Sequence, residues 1–114
     1  MTFFVNSAQT DSAQITIAGD AYAVDELFAM AEERTVQAET GETGTGAALD
    51  QIMRSVEIID PESRQYTLMG ADGYQKTVKW ENLENGILSL KRSSVFSDLP
   101  KAFYVKEIVE IKVD

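Results

Sequence analysis

The stretch LMGADGYQKTVKW, residues 68 to 80, constrains the fold of this chain more than any other part of the sequence. After Asp72-Gly73, an extended chain places Tyr74, Lys76, Val78 and Trp80 on one side and Gln75, Thr77 and Lys79 on the other, which is typical of the return strand of a hairpin with a tight turn. Asp-Gly favours a two-residue turn because both central positions tolerate a positive φ angle. The sequence therefore predicts a β-hairpin whose return strand ends at Trp80, a core or hinge aromatic residue.

Before the hairpin, short strands alternate with helices. Ile15 and Ile17 alternate with polar neighbours and predict a strand, with Gly19-Asp20 as the turn into a second strand. The apolar positions then change to helical spacing and predict a first helix carrying Val24, Leu27, Phe28 and Ala31.

The only glycine-rich stretch, GETGTG at residues 41 to 46, follows a strand candidate at residues 35 to 40. It predicts a flexible or sharply turned loop. A phosphate cradle is disfavoured, because the Gly-Lys-Ser/Thr ending of such loops is missing. After this loop we expect a second helix, capped by Thr45, whose buried face carries Ala48, Leu49, Ile52, Met53 and Val56.

The second half of the chain reads as a run of strands. Pro61 predicts a turn, ENLENG a single helical turn, and ILSLKR a strand. In the closing stretch, AFYVKEIVEIKVD, the apolar spacing breaks strict alternation and predicts a bulge near Lys106-Glu107. The order of elements predicts one α+β domain, residues 1 to 114, with two helices packed on a mostly antiparallel or mixed sheet.

Residue composition excludes several chemistries. The chain of 114 residues contains no cysteine and no histidine, which removes disulfides, thiolate or imidazole metal ligands and cysteine nucleophiles. Adjacent acids such as Asp25-Glu26 point to different parts of a helix surface and are not arranged for acid–base catalysis. We therefore expect no catalytic residue and no metal ligand.

The charge is strongly asymmetric along the chain. The net charge is −9, and residues 1 to 63 contain twelve acids but only two bases. Such a surface disfavours nucleic acid and anionic membranes as partners, because both require cationic groups. The opening, MTFFVNSAQT, lacks the pattern of a signal peptide, so the sequence predicts a soluble protein. A cytoplasmic location and export through an upstream signal both stay open.

Four pieces of the sequence occur in an order and spacing similar to those of one family. They are YAVDELFAM, TGAALDQIM, GADGYQKTVKWENLENGIL and FYVKEIVEIKVD. Together they resemble a compact, truncated form of the molybdopterin-binding domain of sulfite-oxidase-type oxidoreductases. The resemblance covers roughly residues 14 to 114.

The resemblance implies an α+β fold around a molybdenum–pterin cofactor held by a cysteine thiolate. This chain departs from that pattern because it has no cysteine, lacks an arginine cluster and is shorter than a full cofactor domain. We therefore expect no cofactor, and molybdopterin enters only through the resemblance. The positions that match the family motifs are Thr45, Gly46, Asp72, Gly73 and Tyr74.

These five residues, together with Arg92, are the candidate ligand-binding residues. Arg92 belongs to a small basic cluster with Lys91 and Lys101. This cluster either binds an anion or lies on an exposed edge strand, where its charges discourage pairing with another chain. The sequence predicts a non-catalytic binding or interaction module whose partner is an unidentified protein or small molecule. The alternative is an accessory subunit that completes a molybdopterin oxidoreductase site with a partner chain. A stand-alone enzyme ranks last.

Overall fold

The computed structural model describes residues 13–114, which form an α+β domain. Three helices occur in this part of the chain: α1 (Val24–Met30), α2 (Leu49–Ser55) and α3 (Trp80–Glu84). The first strands are β1 (Gln14–Ile17), β2 (Asp20–Ala23), β3 (Glu33–Gln37), β4 (Thr43–Ala48) and β5 (Gln65–Gly70). The others are β6 (Gln75–Lys79), β7 (Gly86–Leu88), β8 (Ser94–Phe96) and β9 (Ile108–Val113). Short 3₁₀ turns lie at Pro61–Ser63 and Lys101–Phe103.

The strands form two sheets rather than the single sheet that the sequence predicts. One sheet has the order β2-β1-β9-β5-β6 and is mixed, because β1 and β9 run parallel while its other pairs are antiparallel. The second sheet, β3-β4-β7-β8, is antiparallel throughout. The third helix, α3, is the helical turn expected from ENLENG. None of the helices in the described part of the chain is long and apolar enough to cross a membrane.

One hydrophobic core joins the two sheets and the helices. It contains Ile15 and Ile17 from β1, Leu27 from α1 and Trp80 at the start of α3, all buried. The predicted role of Trp80 as a core residue is confirmed, since only 6% of it is exposed. Met53 of α2 is also fully buried in this core.

The bulge predicted near Lys106-Glu107 lies in β9, slightly further along the chain. Met69 pairs with Glu110 but Gly70 pairs with Ile108, so β9 has one extra residue between them. Ile108 and Ile111 are three residues apart, which in a regular strand places side chains on opposite faces. The extra residue allows both to be buried, as observed.

The predicted hairpin at residues 68 to 80 is confirmed, but its turn has three residues instead of two. The Gly73 amide donates to the Gly70 carbonyl at 3.0 Å, and the Gly70 amide donates to the Tyr74 carbonyl at 2.9 Å. Only Gly73 in this turn takes a positive φ, of 88°. This is the hairpin form in which a left-handed glycine closes the loop as a bulge.

The turn between β1 and β2 is also one residue away from its predicted position. Ile17 pairs with Asp20, so the turn residues are Ala18 and Gly19, with φ angles of 52° and 90°. Two successive positive φ angles define the type I′ turn, whose twist matches that of paired strands. Asp20 is the first residue of β2.

The glycine-rich stretch is not a loop throughout, because Gly44 and Gly46 lie within β4. A Cβ atom at Gly46 would lie 2.1 Å from the carbonyl oxygen of Leu88, so only glycine allows β4 and β7 to approach this closely. At Gly44 the nearest atom to such a Cβ is Cγ1 of Val95, at 3.4 Å. These two glycines serve sheet packing, and only Gly41 of the stretch has the left-handed φ of a turn.

Candidate functional site

A cavity lies between α1, β4 and the turn after β7. It has a volume of about 360 Å³. We call it the α1–β4 cavity. It is lined by Phe28, Ala31, Glu33, Thr45, Gly46, Ala47 and Leu90.

The wall of this cavity is mainly apolar. Phe28 lies in α1 and Ala31 directly follows it, and both are half-buried. Ala47 of β4 is buried. Leu90 stands at the rim with 80% of its surface exposed. An apolar cavity with a few polar groups at its edge is the usual form of a ligand or side-chain pocket.

Two polar groups reach the cavity, and both come from the exposed side of the β3–β4 pair. Thr45 hydrogen-bonds through its hydroxyl to the Thr35 hydroxyl at 2.8 Å. Among the residues that the structure describes, Glu33 provides the only carboxylate of the lining. The predicted helix-capping role of Thr45 is wrong, because residues 43–48 are extended and α2 begins only at Leu49, with no side-chain cap.

Thr45 and Gly46 are thus neighbours in the cavity wall, as adjacent residues of one strand. Their expected role in ligand binding stays a prediction. Gly46 has in addition a structural role that the sequence did not reveal, since it holds β4 against Leu88.

The predicted residues Asp72, Gly73 and Tyr74 lie elsewhere, in the turn between β5 and β6. The Asp72 carboxylate accepts a hydrogen bond from the Tyr74 amide at 3.0 Å and stabilises the turn. The Tyr74 hydroxyl donates to the carbonyl of Ala102 and so ties the hairpin to the second 3₁₀ turn. Lys76 lies 5.7 Å from the centroid of the Tyr74 ring, at cation–π distance.

Arg92 lies in the turn between β7 and β8, two residues beyond Leu90. Its φ angle is 64°, in the left-handed region. Its Nη1 donates to the carbonyl of Ile108 at 3.4 Å, and the Ile108 amide donates back to the Arg92 carbonyl at 2.8 Å. Arg92 therefore connects this turn to the start of β9.

The six predicted site residues do not line one cavity. Thr45 and Gly46 lie in the wall of the α1–β4 cavity, whereas Asp72, Gly73 and Tyr74 form part of a hairpin turn. The hairpin turn contacts the segment that leads into β9, because the Ala71 amide donates to the Glu107 carbonyl at 2.9 Å. Arg92 contacts Ile108, the first residue of β9.

Phe28, Glu33 and Leu90 are lining residues that were not predicted from the sequence as site residues. Phe28 had a signal, since its helical spacing placed it on the apolar face of α1. Leu90 had none, because ILSLKR reads as a continuous strand. In the structure β7 ends at Leu88, and the Ser89 hydroxyl accepts a hydrogen bond from the Ser93 amide at 3.1 Å, which closes a turn around Leu90.

The residues present do not fit a molybdenum–pterin cofactor. The chain has no cysteine to ligate the metal, and each of its four arginines is bonded to a protein group instead of facing the cavity. The partners are Asp50 for Arg34, Glu62 for Arg54, the Ile59 carbonyl for Arg64 and the Ile108 carbonyl for Arg92. Among residues 13–114, no three acidic side chains are grouped to hold a metal ion.

Comparison with known proteins gives no match, either to a protein-family model or to a curated protein.

Proposed function

We propose that this domain is a non-catalytic interaction module with a reduced fold of the sulfite-oxidase-type molybdopterin-binding kind. Its partner is a protein that places an apolar side chain in the α1–β4 cavity. The observation that carries the proposal is the exposure of Leu90, at 80%, beside a half-enclosed apolar wall.

The chemistry of the cavity favours a protein side chain over an anionic small molecule. Glu33 is the charged group at its edge, and no lysine or arginine belongs to its lining. A carboxylate in this position repels phosphate or carboxylate ligands. An uncharged side chain from a partner satisfies the apolar wall without that repulsion.

The test is capture of partners from the native host by the wild-type domain and by two matched variants. Leu90→Asp adds a charge at the rim of the cavity. Ile59→Asp makes the same kind of change at another exposed apolar residue, 72% exposed, that is not part of the cavity lining. Because both side chains are exposed, neither variant removes core packing.

We expect one protein to be retained at near stoichiometric amount by the wild type and by Ile59→Asp, and to be lost with Leu90→Asp. A partner that binds all three proteins equally contradicts the assignment of the cavity. Molybdenum bound in near equimolar amount to the purified complex would instead favour the accessory-subunit alternative.

A further inference from the structure

Within residues 13–114, the two sheets have four edge strands, β2, β6, β3 and β8, and these edges differ in how much of their backbone is open to another strand. In an antiparallel pair, residues alternate between those bonded to the neighbouring strand and those whose amide and carbonyl point away from it. The outward groups of an edge strand are the ones that a further strand pairs with.

The β8 edge is covered by the chain itself. The Ser94 amide donates to the Val105 carbonyl at 2.9 Å, and the Val105 amide donates to the Ser94 hydroxyl at 2.9 Å. The Phe96 carbonyl accepts a hydrogen bond from the Tyr104 hydroxyl at 2.6 Å. These bonds occupy the Ser94 amide and the Phe96 carbonyl, and they place the segment before β9 along this edge.

In β2 and β6, a side chain of the helix that follows the strand occupies one backbone amide, so a shorter part of each edge is open. The Ala23 amide of β2 donates to the Glu26 carboxylate at 2.9 Å, and the Lys79 amide of β6 donates to the Asn82 side chain at 2.9 Å. β6 also carries Lys76 and Lys79, and lysines on an edge strand discourage pairing.

The β3 edge is different. The Ala38 amide donates to the Glu42 carbonyl at 2.7 Å, and the Ala48 amide donates to the Glu32 carbonyl at 3.0 Å. These two bonds lie at opposite ends of the β3–β4 pair and fix its alternation. The even-numbered residues of β3 therefore bond to β4.

The odd-numbered residues Glu33, Thr35 and Gln37 consequently direct their backbone amides and carbonyls away from β4. Within residues 13–114, these outward groups have no hydrogen-bond partner. Their side chains are exposed, and β3 contains neither lysine nor proline. In the described part of the chain, β3 offers the longest open edge.

The charge around β3 decides what kind of strand fits. Glu32, Glu33, Glu39 and Glu42 lie in or beside the β3–β4 hairpin and are all exposed. A second copy of this acidic chain is disfavoured, because like charges on facing strands are destabilising. We propose that β3 accepts an extended, lysine- or arginine-rich segment of the partner protein as a fifth strand.

This inference rests on the proposed function and specifies the partner. Glu33 belongs both to the β3 edge and to the lining of the α1–β4 cavity. A strand added along β3 therefore passes the cavity at its Glu33 end. Backbone hydrogen bonds supply the affinity of such strand addition, and pockets for alternate side chains supply its specificity.

The direct test uses a fluorescein-labelled peptide, Lys-Val-Lys-Leu-Thr-Val-Lys, with blocked termini. We expect it to bind, and to slow hydrogen exchange at the amides of Glu33, Thr35 and Gln37 at least about tenfold. The amides of Arg34 and Val36, which bond to β4, are the internal control. Rapid exchange at the three outward amides in the bound state would overturn the proposal, and so would slow exchange at them in the free protein.

Two control peptides separate charge from backbone pairing. One has glutamate in place of every lysine, and the other is N-methylated at all amides between its ends. We expect both to bind at least about tenfold more weakly, since the first is repelled by the acidic edge and the second cannot donate hydrogen bonds to β3. Equal binding by the N-methylated peptide excludes strand addition.

Variants of the protein distinguish a failure of this inference from a failure of the proposed function. Glu33→Lys reverses a charge at the edge, and Glu84→Lys makes the same change on the exposed side of α3. We expect the peptide to bind about threefold more weakly to the first and unchanged to the second. One set of results separates the two proposals. The captured partner is lost with Leu90→Asp but retained by Glu33→Lys, and the peptide does not slow hydrogen exchange at the outward amides. In that case the β3 inference is wrong and the cavity assignment stands.

Discussion

The guanidinium of Arg34 lies 2.8 Å from the carboxylate of Asp50, measured from Nη1 to Oδ1. The same Nη1 donates hydrogen bonds to the carbonyls of Leu83 and Gly86, each at 3.3 Å. Asp50 Oδ1 is buried and accepts no hydrogen bond from residues 13–114, so the contact is an ion pair. One side chain thereby joins β3 to the start of α2, the end of α3 and the start of β7.

We expect Arg34→Ala to destabilise the domain by about 2–3 kcal/mol, because it leaves a half-buried carboxylate without its countercharge. Asp50→Asn should cost less, about 1 kcal/mol, since Arg34 keeps both carbonyl acceptors. Urea unfolding of the two variants and of the double variant measures the difference. Additive effects in the double variant would show that the pair is not coupled.

Gly46 and Gly44 of β4 should differ in how much a substitution by alanine destabilises the domain. A methyl group at Gly46 meets the Leu88 carbonyl at 2.1 Å, whereas at Gly44 it meets the flexible Val95 side chain at 3.4 Å. We expect Gly46→Ala to lose at least about 2 kcal/mol of unfolding free energy, because backbone must move. Gly44→Ala should stay within about 0.5 kcal/mol of the wild type. Thermal unfolding of both variants tests this order, and equal losses would argue against close packing of β4 on β7.

These glycines also show where the sequence was insufficient. The hairpin at residues 68 to 80 was predictable because its alternation and its Asp-Gly turn are local. β4 was not, because a glycine in a turn and a glycine under a neighbouring strand look identical in sequence. Only the contact with Leu88, far along the chain, distinguishes the two.

The candidate site was predictable to a similar extent. Thr45 and Gly46 were named from motif resemblance, and both line the α1–β4 cavity. The cavity itself depends on the packing of α1 against β4 and on the turn that exposes Leu90. Side-chain periodicity does not encode such long-range packing, so the remaining lining could not be derived from the sequence.

Ala18 is the third test, because it holds a left-handed φ of 52° in a type I′ turn before Gly19. Asparagine tolerates this conformation better than alanine, and Asn-Gly is the preferred pair for such turns. We therefore expect Ala18→Asn to stabilise the domain by about 0.5–1 kcal/mol. The control is Ala21→Asn in β2, also exposed, which should be slightly destabilising because asparagine is unfavourable in strands. Chemical denaturation that shows no gain for Ala18→Asn would contradict the assigned turn.

Ionisation of Tyr66 should lower the stability of the domain at alkaline pH. Its side chain is fully buried, its hydroxyl donates to the Pro61 carbonyl at 2.7 Å, and burial raises the pKa of the phenol from 10.0 to about 12. Because the folded pKa lies above the unfolded one, the contribution of Tyr66 is complete below pH 10.0 and is lost as pH rises through about 12. We expect the urea midpoint to fall across this interval.

The variant Tyr66→Phe isolates that contribution. At neutral pH it should lose about 1–2 kcal/mol, because the Pro61 carbonyl loses its donor in a buried site. Its alkaline decline should be smaller than that of the wild type, with a remainder from Tyr104, whose pKa is also raised, mainly by burial. Absorbance of ionised tyrosine should show one late-titrating phenol fewer in the variant. If the stability of Tyr66→Phe falls at alkaline pH as much as that of the wild type, ionisation of Tyr66 does not destabilise the folded protein.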